Sequence, residues 1–270
     1  MADAGSVRCE VDGSVAVITL DRPERLNALT GEMLRALGQH YDACDRDDDV
    51  RVIVVTGAGR AFSAGADLSG GRTFDRPSNH DTFESSPVRP RAFELHKPVL
   101  AAINGHAIGL GLTLTMQCDI RYVASDARLS IPQVRRGVVP DAHSHWTVPR
   151  IVGQARAAEI LMAGREFTGL QAADWGLCSR ALGATEVLAA TLELARDLAE
   201  HANPLSMAFS KQMLWRSFES SAASIDQLER EAHLALMGRP DAIEGATAFL
   251  ERRAPTWQSR VPRDLSNRAF

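Results

Sequence analysis

The sequence predicts an α/β protein with a helical C-terminal region, and three observations carry the prediction. Short apolar runs closed by Gly, Pro or Asp alternate with helical periodicity in the first half of the chain. From Gly153 onward apolar residues recur almost throughout at three- and four-residue spacing. No long linker or internal repeat divides the two parts, so an α/β core that continues into packed helices is the arrangement that buries both patterns.

In order, Val15-Ala16-Val17-Ile18-Thr19-Leu20 is an apolar run stopped by Asp21-Arg22-Pro23, as a buried strand followed by a turn requires. Thr30 suits the N-cap of a helix carrying Met33, Leu34 and Leu37 on one face. Arg51 to Thr56 is a second buried strand, closed by Gly57-Ala58-Gly59. Residues 70–90 lack periodicity and are rich in Gly, Pro, Ser and charge, which predicts a mobile loop. Pro98 to Ile103 is a third strand, and Gly105 to Gly111 turns into a helix ending near Cys118. Helices follow over 154–162, 170–175, 186–201, 204–218 and 225–237.

Composition narrows the function classes. With 270 residues, 45% of them hydrophobic, the chain can bury a core as one large domain or two small ones. A net charge of -4 gives no support for nucleic-acid binding, which asks for a basic patch or stripe. Cationic contacts must come almost entirely from arginine, because Lys97 and Lys211 are the only lysines. Cys9, Cys44, Cys118 and Cys178 show no CxxC spacing, so neither a zinc framework nor a disulfide scaffold is indicated, and a reduced cytoplasm fits. The first residues lack the pattern of a signal peptide and no apolar run approaches the ~20 residues of a membrane span. A soluble, cytoplasmic protein with no membrane partner is expected.

Two strand-to-loop junctions carry the chemical signal. VIVVTGAGRAF has the start of a dinucleotide fingerprint, but Phe62 stands where the third glycine must let helix and strand pack. In Ala61-Phe62-Ser63-Ala64-Gly65-Ala66-Asp67-Leu68, small side chains let a ligand approach the main chain, and Asp67 suits the first turn of a short helix. In Asn104 to Gly111, glycines open a second helix whose first N–H groups have no internal partner. Two such donors converging on one point make an oxyanion hole. For either segment alone, tight turns and close packing explain the glycines as well.

Together these motifs resemble a family. VAVITLDRPERLNAL, VIVVTGAGRAFSAGADL, KPVLAAINGHAIGLGLTL, CDIRYVASDARLSIPQ and the C-terminal AFLERRAPTW occur in the order found in the crotonase superfamily, the enoyl-CoA hydratase/isomerase group. The resemblance spans nearly the whole chain. It implies a crotonase (ClpP-like) spiral of ββα units over 1–200, followed over 201–270 by a helical region that assembles a homotrimer or a dimer of trimers (a hexamer). It implies a lyase or isomerase of fatty acid metabolism acting on an acyl-CoA thioester, with coenzyme A part of the substrate and no separate cofactor. By the same resemblance the backbone N–H groups of Ala66 and Leu110 form the oxyanion hole, with Leu110 standing where glycine is usual and Gly109 before it. Arg25, Leu26, Ala28, Ala64, Asp67 and Leu68 would line the CoA path, helped by Phe249, Arg252 and Arg253 from the C-terminus, sometimes of a neighbouring subunit. A solvated helix end is the alternative for the two arginines.

Hydratases of the group use two glutamates, and those positions fall here at Thr113 and Gln133, which do not titrate near neutral pH. The two-glutamate mechanism is therefore absent. Family members that shift a double bond carry an acidic residue in the loop that here reads Gly137 to Trp146, and Asp141 occupies that position. One base suffices to remove an α-proton and return it at the γ-carbon. Isomerisation with Asp141 as base and Thr113 and Gln133 beside the substrate is the favoured expectation. The alternatives are hydration by a non-standard mechanism and a non-catalytic acyl-CoA-binding protein. Asp141 could instead cap a helix beginning near Ser144, and His143 or His145 could serve as base or orient it. A metal site is not expected, since Asp-x-His-x-His lacks a third distant partner.

Overall fold

A computed structural model describes residues 5–69 and 84–265. Ten strands, β1 (Ser6–Asp12), β2 (Val15–Asp21), β3 (Val52–Gly57), β4 (Ala61–Ser63), β5 (Val99–Ile103), β6 (His106–Ile108), β7 (Ile120–Ala124), β8 (Arg128–Ser130), β9 (Phe167–Thr168) and β10 (Arg180–Leu182), form two sheets among the described residues. The larger runs β1-β2-β3-β5-β7-β10 and the smaller β4-β6-β8-β9. β3, β5 and β7 lie side by side in one sheet while their successors β4, β6 and β8 lie side by side in the other, all parallel. Each turn of chain therefore adds one strand to each sheet, which is the spiral that the resemblance implies.

Burial on both faces explains why the longer strands were legible. Val52, Ile53 and Val54 in β3 and all of β5 are fully buried, so these strands are continuous apolar runs rather than alternating ones. The strands of the second sheet have two or three residues each, too few to show a period, and the sequence reading missed them. It also missed β1, whose outer face is solvated, β7, β10 and the last helix.

The helices are α1 (Gly31–Arg46), α2 (Leu110–Thr115), α3 (Ser144–Ala163), α4 (Gly169–Asp174), α5 (Val187–His201), α6 (Pro204–Arg216), α7 (Ala222–Leu236) and α8 (Pro240–Glu251). Thr30 caps α1 by accepting from the Met33 N–H at 3.2 Å. α5 packs across the large sheet on β3, β5 and β7. Leu205, Ala208, Phe209, Ala232, Ala235 and Val261 form a second, smaller core between α6, α7 and the C-terminal segment. α2 is shorter than predicted and is preceded by β6, because Met116 to Cys118 already turn toward β7. The predicted loop lies partly outside the described residues; residues 84–90 adopt neither helix nor strand, yet Ser86 and Val88 are buried.

Both lysines are structural. The Lys97 ammonium donates to the Cys44 and Asp47 carbonyls, and the Lys211 ammonium donates to the carbonyls of Ala92 (2.7 Å) and Lys97 (2.8 Å) and pairs with Asp119 at 2.9 Å. Neither is free to meet a ligand phosphate. No helix among the described residues is long and apolar enough to cross a membrane.

Candidate active site

The first junction is built by a parallel run of main chain. Ala64 N–H donates to Leu26 O (2.8 Å), Leu29 N–H to Gly65 O (2.7 Å) and Asp67 N–H to Leu29 O (2.9 Å). This zips the segment from Arg25 to Ala28 alongside Ala64 to Leu68, so the six residues expected to line the CoA path come together. Buried Asn27 holds the turn that makes this possible. Its amide donates to the carbonyls of Ala58 and Ala61, each at 2.8 Å, while Leu26 and Asn27 take positive φ angles of 51° and 54°. Asn27 escaped the sequence reading although Asn tolerates this conformation better than most residues.

Gly65 sets the distance between the two junctions. Its φ is 92°, and a Cβ there would stand 2.6 Å from the Ile108 carbonyl oxygen and 3.6 Å from the Leu110 nitrogen. Only glycine allows this backbone-to-backbone contact. On the other side Gly109, with φ 55° and ψ -124°, turns the chain from β6 into α2 so that Leu110 is the first helical residue. Leu110 carries its side chain into the core at 6% exposure, so its bulk displaces nothing in the site. The N–H groups of Ala66 and Leu110 have no acceptor among the described residues.

Asp67 is spent structurally. Its carboxylate pairs with buried Arg22 at 2.7 Å and caps Ser69, and no helix begins there within the described residues. The Ser69 N–H, then the Arg22 guanidinium, hold its carboxyl down at about 2. The sequence signal for Arg22 was visible only as part of the turn Asp21-Arg22-Pro23.

Asp141 stands at the second junction. Its Oδ1 accepts from the Thr113 hydroxyl at 2.7 Å and from the Gln133 amide at 3.2 Å. The Gln133 side chain in turn lies 3.7 Å from where a Cβ on Gly109 would sit, beside the Leu110 donor. Thr113, Gln133 and Asp141, separated by up to 28 residues, thus converge next to the Gly109–Leu110 turn. The capping alternative for Asp141 does not hold. Ser144 N–H is met by the Asp141 backbone carbonyl at 2.9 Å, and His143 is the residue before α3. Burial pushes the Asp141 carboxyl up, and the Thr113 hydroxyl, the Gln133 amide and its own backbone N–H only partly oppose it. Gln133 Oε1 is buried with no partner.

The Asp141 loop is held in an uncommon shape. Ala142 and His143 both take positive φ, at 49° and 62°. Ala142 N–H donates to the Ser85 carbonyl, and buried Gln117, also missed from sequence, donates to the Ala142 carbonyl, both at 2.9 Å. His143 contacts the Phe93 ring edge-on, and burial followed by the nearby Arg91 and Arg89 pushes its imidazole pKa down. His145 is exposed and His106 accepts from the Arg128 N–H. Neither His143 nor His145 is joined to Asp141 by a hydrogen bond or ion pair among the described residues.

A cleft of about 350 Å³ opens beside Leu26 and Ala64 and is walled further by Ile108, Arg128, Arg135 and Arg136. Arg25 is exposed on the adjoining turn. The C-terminal residues stand otherwise. Phe249 is 81% exposed, Arg252 ends α8 with φ 55°, and Arg253 is clasped by Glu244 and Glu251. Among the described residues no three His, Cys, Asp or Glu side chains are grouped as metal ligands would be.

Residues 10–260 match the enoyl-CoA hydratase/isomerase family. A solved structure of a probable enoyl-CoA hydratase/isomerase from Mycobacterium abscessus superposes with a TM-score of 0.91 at 46% identity, covering 94% of this chain and 99% of that one. The enoyl-CoA hydratase ACTT3 of Alternaria alternata is 36% identical over 256 residues, covering 93% of this chain and 85% of the relative. The 2,3-dehydroadipyl-CoA hydratase of Escherichia coli K12 is 34% identical over 247 residues, covering 91% and 96%.

Proposed function

Because the chain belongs to the enoyl-CoA hydratase/isomerase family of the crotonase superfamily, we propose that it is an acyl-CoA enzyme that moves a double bond in an enoyl thioester, with Asp141 as its single base. The observation that carries this reading is the hydrogen-bonded set at Asp141. The two positions that the resemblance assigns to hydratase glutamates, Thr113 and Gln133, hold neutral donors directed at one carboxylate. The N–H groups of Ala66 and Leu110 would receive the thioester oxygen as it becomes anionic. Each such donor is worth about 2.7–4 kcal/mol of barrier. That charge acidifies the α-proton, which Asp141 removes through Oδ2 and returns at the γ-carbon, carrying 3-enoyl to 2-enoyl thioester. Burial supports this role, because a carboxylate with a raised pKa is a stronger base.

Coenzyme A would run along the Arg25–Ala28 and Ala64–Leu68 pair. With both lysines buried, its phosphates would fall to arginines around the cleft, chiefly Arg25, Arg135 and Arg136. A trimer or dimer of trimers is part of the same reading. Exposed Leu234 on α7, Met237 just after it, and Ile243, Phe249 and Leu250 on α8 support it, and assembly would bring Phe249, Arg252 and Arg253 toward a neighbour's CoA.

Hydration is the second reading, favoured by the buried, unpartnered Gln133 Oε1, which could accept from a water. The test offers purified protein 3-enoyl-CoA and 2-enoyl-CoA thioesters beside Asp141→Asn. Isomerisation that disappears in the variant supports the proposal, and hydration of the 2-enoyl thioester without isomerisation replaces it with the second reading. Binding without turnover of either leaves an acyl-CoA-binding protein. Isomerisation that persists in Asp141→Asn removes the assigned base.

A further inference from the structure

Cys9 and Cys44 come together far apart in sequence and away from the site. Cys9 lies on the edge strand β1, whose residues alternate. Arg8 points outward to pair with Asp21 and Glu10, while Val7 and Cys9 point toward α1. α1 presents Cys44 to the same face, and the two Sγ atoms are 3.6 Å apart. The strand is fixed over the helix by a second contact, between His40 Nε2 and the Val7 carbonyl at 3.0 Å. The pair is asymmetric in access, with Cys9 partly exposed and Cys44 buried at 5%.

We propose that Cys9 and Cys44 are an oxidisable dithiol, a modification site at which a hydroperoxide closes a disulfide between β1 and α1. The hydrogen bond from Cys44 draws the Cys9 thiol down to about 7, so it ionises readily, while that bond and burial push Cys44 up. The exposed Cys9 thiolate attacks the terminal peroxide oxygen, giving Cys9 sulfenic acid and an alcohol or water as the O–O bond breaks. Cys44 sulfur then attacks the Cys9 sulfur; the departing hydroxide takes the Cys44 proton and leaves as water. Two thiols lose two electrons and one hydroperoxide gains them. The sulfurs need to approach by about 1.5 Å to reach a bond length of ~2.05 Å, within the range of side-chain rotation. Cys118 and Cys178 are natural controls, buried with thiols pushed up to about 12 and about 11.

The folded protein is treated with hydrogen peroxide, its free thiols are alkylated, and its peptides are mapped by mass. The expected result is a Cys9–Cys44 linked peptide that dithiothreitol dissolves, with Cys118 and Cys178 still alkylated. The oxidised protein should melt at a higher temperature than the reduced one, since the link constrains the unfolded chain. In Cys44→Ser, dimedone should trap a sulfenic acid at Cys9. Recovery of Cys9 and Cys44 as free thiols, or Cys9 sulfinic acid beside an unmodified Cys44, overturns the proposal. None of these readouts depends on acyl-CoA turnover.

Discussion

Asp67 and Asp141 are the same residue type at two neighbouring junctions, and their surroundings drive them in opposite directions. Asp67 faces a guanidinium and a backbone N–H and is held at about 2. Asp141 faces a hydroxyl and an amide, and burial lifts it above its ordinary value. Each accepts a side-chain bond of 2.7 Å, so hydrogen-bond length does not separate them. Desolvation dominates at Asp141 and its neutral donors do not offset it, whereas at Asp67 the Ser69 N–H and then the Arg22 guanidinium outweigh a small desolvation cost. One carboxylate is thereby fixed as structure, and the other is left able to take a proton.

The largest effect expected is that of Asp141→Asn, a loss of kcat on 3-enoyl-CoA of about 10²- to 10⁴-fold, the ordinary worth of a general base. Asparagine Oδ1 can still accept from Thr113 and Gln133, so circular dichroism should show an unchanged fold. The variant also checks linkage. A carboxyl with a raised folded pKa binds its proton more tightly folded than unfolded, so wild type should lose stability relative to the variant as pH rises from ~4 through the raised value. Melting curves at several pH values read this directly.

Thr113→Val should come next. Losing the Thr113 hydroxyl removes a bond that favours the ionised form, so the Asp141 pKa rises further. The acid limb of the kcat/KM profile should move to higher pH, and an unmoved limb would separate Asp141 from the rate.

Asp67→Asn sharpens the contrast from the other side. Arg22 would lose its charged partner, costing on the order of 1–3 kcal/mol, short of a fully buried pair because Asp67 keeps some exposure. The acid limb should stay where it is. Because the Asp67 pKa is depressed, this stabilisation is present above the unfolded value of ~3.9 and lost as pH falls through about 2, so the two proteins should converge there in urea melts. The smallest effect expected is that of Arg136→Gln, a rise of a few-fold in KM for the CoA thioester with kcat unchanged.

Much of this was legible without coordinates, for identifiable reasons. β3 and β5 are buried on both faces and therefore written as almost unbroken apolar runs, and β2, half-buried on one face, keeps enough apolar residues to read as a strand. Ala66 and Leu110 were named through the family resemblance that the two glycine-rich junctions carry together, which neither segment alone required. Gln117 and Asn27 could not. Their roles are hydrogen bonds to carbonyls 25 and 31 residues distant, and nothing local marks a side chain for such a partner.

By itself the sequence determined an α/β core with a helical C-terminal region, through its buried runs and helical periodicity. Its resemblance to a family supplied the expectation of a spiral, an oxyanion hole at Ala66 and Leu110 and a base at Asp141. Only the tertiary structure decided what Asp141 does with its side chain. A helix cap is a local contact, while the Thr113 and Gln133 bonds come from two other segments of the spiral. It likewise decided that Asp67 is structural, by bringing Arg22 against it from 45 residues away. The chemistry of a carboxylate is set by which charges and dipoles surround it once water is excluded, and folding alone assembles those.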